Sequence, residues 1–181
     1  MTKKDSIISA ALKLLTLQGI HATPMSAIAK EAGTGMGTIY NYFPTKEVLI
    51  NHIYQHIKLK EQEIFASFNE SGSIKNQFFT YYNQAFTFFT NTPEYFQFME
   101  QLHASPIITD ESKAVGEKAI VNIFQLIENG KKTGIIKAID TNELLQFIGG
   151  SLLSTIRWYL KEKNENYINT QLTLVWDAIK Q

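Results

Sequence analysis

The 181-residue chain contains no cysteine. Disulfides and thiolate metal sites are therefore excluded, and nothing points to an oxidising compartment. Arginine is nearly missing: Arg157 is the only one. No apolar run approaches the ~20 residues needed to span a bilayer. The opening residues MTKKDSII lead into an amphipathic pattern, not into the apolar core of a signal segment. The expectation is a cytoplasmic protein with no membrane partner. No segment alternates apolar and polar residues in the manner of a strand, and there is no internal repeat or low-complexity tract. The chemistry of an enzyme is missing too: there is no nucleophile–base pair and no phosphate-binding loop. The four histidines are His21, His52, His56 and His103. His52 and His56 share a helix face at ligand spacing, but no third ligand lies nearby. No catalytic activity, metal or cofactor is expected.

What is present is an ordinary globular composition, 44% hydrophobic and 19% charged. Formal net charge is zero, but it is unevenly spread. Residues 1–60 hold seven lysines against three acidic residues, net +4, leaving net −4 for the remainder. That asymmetry places a basic footprint in the N-terminal third.

The most informative stretch runs from Thr23 to Lys46, TPMSAIAKEAGTGMGTIYNYFPTK. Thr23-Pro24 reads as a helix start, with a hydroxyl cap followed by proline at the first helical position. Ala27, Ile28 and Ala32 fall on one face, and Gly33 supplies the positive-φ stop. Thr34-Gly35 turns the chain. A second short helix, Met36 to Tyr42, follows, and Pro44-Thr45 stops it and caps the next. Two short helices around a glycine-containing turn form a helix-turn-helix, whose second helix lies in the DNA major groove. Upstream, Asp5 or Ser6 can cap a helix to about Gln18, with Ile8, Ala11, Leu12 and Leu15 on its buried face and Gly19 as its stop.

The runs Ile28-Ala29-Lys30-Glu31-Ala32-Gly33, Gly37-Thr38-Ile39-Tyr40 and Tyr42-Phe43-Pro44-Thr45-Lys46 closely resemble the TetR family of bacterial repressors. The resemblance covers the first quarter of the chain. It implies an all-α, homodimeric regulator that binds double-stranded DNA and is released by a small-molecule effector. The expected organisation is a three-helix DNA-binding domain, 1–45, and a helical ligand-binding and dimerisation domain, 46–181. An alternative on the same fold is a chromosome-organising DNA-binding protein without an effector.

Spacing divides the motif. Ile28, Ala32, Ile39 and Phe43 face the first helix and are core. The expected DNA-contacting set is Ser26, Lys30, Met36, Gly37, Thr38, Tyr40, Asn41, Tyr42 and Lys46. Gly37 lets the recognition helix approach the groove floor, and the hydroxyl and amide side chains can reach phosphates. Lys46 resembles the family lysine that contacts phosphate. With no arginine in this domain, bidentate guanidinium reading of guanine is unavailable. Base reading must then rest on van der Waals contacts, thymine methyls and hydrogen bonds from Tyr40 or Thr38.

A long helix is expected from Thr45 to about Asn69, connecting the DNA domain to the body. Eleven of the twelve phenylalanines lie beyond residue 60. With the family resemblance, this aromatic crowding points to a ligand site for an apolar or aromatic effector. Its expected lining is Phe65, Phe79, Tyr82, Phe86, Phe89, Phe98, Gln101 and His103. Ser112 to Asn129 or Lys132 reads as one helix. Thr141 is expected to cap a long helix to about Glu162, and a final helix runs to about Lys180. These last two look like a dimer seam. Phe147, Gly150, Ser154, Trp158, Leu172, Val175 and Trp176 combine aromatic anchors with small residues that permit close helix approach.

Overall fold

The computed structural model describes residues 2–66, 72–102, 105–164 and 167–181. It is all-α: among the described residues there are ten helices, and the only extended pairing is an isolated bridge between Ile136 and Lys180. The helices are α1 (Lys3–Gln18), α2 (Met25–Glu31), α3 (Met36–Tyr42), α4 (Lys46–Ala66), α5 (Ile74–Asn91), α6 (Pro93–Leu102), α7 (Asp110–Ala119), α8 (Val121–Lys132), α9 (Thr141–Glu162) and α10 (Tyr167–Ile179). They form two compact units. The first is Met1–Lys60 with Thr92–Gly116, and the second is Glu61–Asn91 with Glu117–Gln181.

In the first unit α1 begins one turn earlier than expected. Thr2 is its cap, in a reciprocal box with Asp5: the Asp5 N–H donates to the Thr2 hydroxyl, and Asp5 Oδ2 accepts from the Thr2 N–H at 2.8 Å. The buried face of α1 is also wider than a single stripe. Ile7, Ala10 and Leu14 join Ala11, Leu12 and Leu15, because both α2 and α6 pack against this helix. Gly19 and Gly33 end α1 and α2 at φ +93° and +61°, which only glycine adopts without cost. Thr23 does not cap α2. Its hydroxyl is buried and donates back to the carbonyls of Leu14 and Gly19, so Pro24 occupies the cap position. Thr45 does cap the next helix, accepting from the Val48 N–H at 3.2 Å.

The second unit has an aromatic core. Phe65 stacks on Tyr81 with ring centres 4.1 Å apart, Phe78 lies 5.6 Å from Trp176, and Phe79 meets Trp176 edge-on. Ile123, Leu126, Ile127, Leu144, Ile148, Leu172, Val175 and Ile179 complete it. The expected single helix over 112–132 is two: the backbone breaks at Ile120, where φ is −103° and ψ is 4°. Asp140, not Thr141, caps α9, accepting from the N–H groups of Asn142 and Glu143. The Thr141 hydroxyl is instead bonded to the carboxylate of Glu128, which also pairs with Lys131 at 3.0 Å.

Candidate nucleic-acid interface

α2 and α3 are seven residues each, too short to hold themselves in water. Their placement comes from packing and from hydrogen bonds at the corners. Ile28 and Ile39 are fully buried and Phe43 nearly so, which fixes one side of each helix against the core. The opposite side is then presented outward. Ser26, Lys30, Met36, Gly37, Tyr40, Asn41 and Tyr42 are exposed, while Thr38 and Lys46 are half-buried. A Cβ added at Gly37 would meet nothing within 4 Å. Internal packing therefore does not require glycine there, whereas close approach of a partner would. α3 has no side-chain cap at Gly35.

Two side chains of α4 contact this motif. Lys46 Nζ donates to the carbonyls of His21 at 3.1 Å and Thr23 at 2.9 Å, tying the start of α4 to the α1–α2 corner. His52 lies against the ring of Phe43, 5.4 Å between centres, so α4 also holds the residue that ends α3. Burial, Lys4 and His56 together push the His52 pKa below its ordinary value. His56 in turn lies 3.4 Å from the Tyr95 hydroxyl of α6.

The residues expected to line an effector site are distributed over both units. Phe65, Tyr82, Phe86 and Phe89 are buried in the second unit, and Phe79 is partly buried against its core. The Tyr82 hydroxyl lies 3.3 Å from the Thr155 hydroxyl and 3.4 Å from that of Ser151, and burial raises its pKa. Phe98 is fully buried in the first unit. Gln101, also there, bonds with its amide to the end of α1, donating to the Leu15 carbonyl at 3.0 Å and accepting from the Ile20 N–H at 2.9 Å. His103 lies outside the described residues.

The seam residues separate by exposure. Phe147, Gly150, Ser154 and Trp158 are exposed along one side of α9, with Phe147 at 49% and Trp158 at 47%. Leu172, Val175 and Trp176 are buried in the core of the second unit, while Leu174 of α10 is 57% exposed. The residue pattern offers Thr23 only as a cap and gives no signal at Asn51, yet both bond to backbone groups at corners of the fold. A lone amide in a helix and a threonine before a proline carry ordinary local readings, and only the fold brings their partners near.

Comparison with known proteins agrees with this geometry. Residues 7–53 match the family described as bacterial regulatory proteins, tetR family, and residues 46–181 match the tetracyclin repressor-like C-terminal domain. The HTH-type transcriptional regulator YhgD of Bacillus subtilis is 32% identical over 152 residues, covering 81% of this chain and 78% of YhgD. The crystal structure of a TetR family transcription regulator from Marinobacter aquaeolei has a TM-score of 0.87 at 23% identity, over 99% of this chain and 96% of that one. The transcriptional regulator FadR of Bacillus subtilis, solved in complex with stearoyl-CoA, has a TM-score of 0.75 at 21% identity, covering 94% of this chain and 96% of FadR. No helix among the described residues is long and apolar enough to cross a membrane. With both parts of the family matched along nearly its whole length, the chain belongs to the TetR family of helix-turn-helix, DNA-binding transcription regulators.

Proposed function

We propose that this regulator is a homodimeric repressor that binds a palindromic operator and is released by a small apolar or aromatic effector. The observation that carries the reading is the division of α3. Its inward residue, Ile39, is fully buried, while Met36, Gly37, Tyr40 and Asn41 are exposed, and a Cβ at Gly37 would meet nothing within 4 Å. One seven-residue helix reads few base pairs. A dimer that sets two of them about 34–36 Å apart reads a palindrome with adequate specificity.

The face of α9 formed by Phe147, Gly150, Ser154 and Trp158, together with the exposed Leu174 of α10, is the proposed seam. Leu172, Val175 and Trp176 back it from within the core. Large exposed rings beside small residues are what a helix-on-helix interface uses. For the effector, Phe65, Phe79, Tyr82, Phe86 and Phe89 offer a mostly apolar wall with the Tyr82 hydroxyl as a polar handle. That FadR is solved with stearoyl-CoA supports an effector with a long apolar part.

The test is selection of duplexes from a random pool by the full chain, followed by sedimentation. The expected product is a palindrome bound by two chains. A Phe147→Asp/Trp158→Asp variant should sediment as a monomer and lose the selected duplex by more than about tenfold, since one half-site remains. A wild-type chain that is monomeric on a non-palindromic site overturns the dimer reading. Release of the duplex by polar metabolites, and by none of a panel of acyl and aromatic compounds, overturns the effector reading.

A further inference from the structure

Segment 107–116 reaches α4 at successive turns, all within the first unit. Asn51 is an amide at a position only 7% exposed. Its Nδ2 donates to the carbonyls of Ile107 and Glu47, each at 2.9 Å, and its Oδ1 accepts from the Thr109 N–H at 2.9 Å. The Thr109 hydroxyl lies 3.3 Å from the same Oδ1 and accepts from the Ser112 N–H at the start of α7. One turn along α4, Gln55 Nε2 donates to the fully buried Ser112 hydroxyl at 3.0 Å. One turn further along α7, the Tyr54 side chain of α4 reaches Gly116, where a Cβ would displace its hydroxyl.

The spacings match: 51 and 55 share a face of α4, and 112 and 116 share a face of α7, with Thr109 just ahead of its first residue. Apolar packing alone tolerates sliding, because it is non-directional. An amide bonded at both ends to backbone groups does not, since any slip leaves a buried donor or acceptor without its partner. Asn51 therefore fixes where segment 107–109 sits along α4. Lys46 does the same at the start of α4 for the helix-turn-helix, through the His21 and Thr23 carbonyls. The two clamps lie within the first two turns of one helix. A shift of 107–116 must then carry α4, and with it the recognition helix.

We propose that Asn51 is a positioning residue for DNA binding: it latches segment 107–112 onto α4 and thereby sets the angle at which α4 holds the helix-turn-helix. The latch rests on the DNA-binding reading above and names the residues through which that site is oriented.

Because the chain lacks cysteine, spin labels can be placed cleanly at Leu17→Cys in α1 and Glu111→Cys in α7, both exposed positions of the first unit. The intrachain distance is measured on the full chain diluted with unlabelled protein, with and without Asn51→Ala. The same variant is titrated on the duplex that the wild-type chain selects. The expected result is a shifted or broadened distance, an affinity lower by about tenfold, and a salt slope unchanged because no phosphate contact is lost. A folded Asn51→Ala chain with the wild-type distance overturns the latch, whatever its affinity. So does an affinity within twofold of wild type, or a salt slope that falls by about one, which would mark a lost phosphate contact. If circular dichroism shows that Asn51→Ala does not fold, Thr109→Val, which removes only the hydroxyl, is read by the same distance and affinity criteria. Should the wild-type chain select no duplex, the functional reading fails, while the distance measurement still decides whether Asn51 holds α4.

Discussion

The two units are held together by different chemistry. In the first, the telling contacts are side chains bonded to backbone. Gln101 reaches Leu15 and Ile20, Thr23 reaches Leu14 and Gly19, Lys46 reaches His21 and Thr23, and Asn51 reaches Glu47, Ile107 and Thr109. In the second, large rings meet large rings, and Phe65, Phe78, Phe79, Tyr81, Tyr82 and Trp176 form a continuous aromatic cluster. The difference follows from what each must do. Within the first unit the two helices of the DNA-reading motif are seven residues each and bury few side chains of their own, and the motif's function depends on angle. Directional bonds to fixed backbone groups supply angle at modest energy, about 1 kcal/mol each. The second unit packs ring against ring, and the area buried is large for aromatic side chains but indifferent to small rotations.

The largest test of that contrast is Phe78→Ala. The ring is fully buried and contacts Tyr82 and Trp176 at centre distances of 6.0 and 5.6 Å. Removing it should cost about 3–5 kcal/mol and lower Tm by roughly 10 °C for a chain of this size. Calorimetry reads the shift. If hydrogen exchange shows the first unit losing protection by the same amount, the two units unfold as one block and the contrast is only one of composition. If protection in α1–α3 is retained, each unit is stabilised by its own chemistry.

A smaller effect is expected from Gln101→Ala, which leaves the Ile20 N–H without its partner at a part-buried site, while the Leu15 carbonyl still accepts from the Gly19 N–H. The expected cost is about 1–3 kcal/mol. It should be concentrated in exchange at Ile20 and the end of α1, with the aromatic unit unaffected. A global Tm shift as large as that of Phe78→Ala would mean that the first unit depends on α6 for packing area as much as for direction.

How legible each part was in the residues follows the same division. The recognition helix, Met36–Tyr42, and the stops at Gly19 and Gly33 are local events, written in glycine, proline and apolar spacing, and the structure has them at those residues. Caps were less legible. Thr23 and Thr141 look like caps by sequence, yet both hydroxyls are taken by groups distant in the chain or on another helix, and Pro24 and Asp140 stand in their place. The break at Ile120 had no signal, since neither glycine nor proline marks it. Exposure on α9 and burial on α10 were not separable either: Phe147 and Trp176 are both aromatic residues on apolar helix faces, and only tertiary packing assigns one outward and the other inward. The latch at Asn51 depends on a segment 56 residues away meeting α4, which no window of sequence contains.

The smallest expected effect is one of pH, and it belongs to the first unit alone. His52 rests on Phe43 beside the end of the recognition helix, and burial, with Lys4 and His56 adding to it, lowers its pKa from the ordinary 6.5. For a base whose folded pKa is depressed, the folded state prefers the neutral ring. The associated stability is fully present above pH 6.5 and is lost as pH falls from there towards the lowered value, because the unfolded chain takes up the proton first. The ring is partly exposed, so solvent screening limits the effect to a fraction of a kcal/mol, about 1 °C in Tm. His52→Gln should remove that part of the acid sensitivity between pH 7.5 and 5.5. In the wild type the loss of protection on acidification should centre on Phe43 and the end of α3, because that is what the imidazole packs against. An equal loss in the Phe78–Trp176 cluster would place the acid-sensitive group in the aromatic unit and remove His52 from the recognition helix's support.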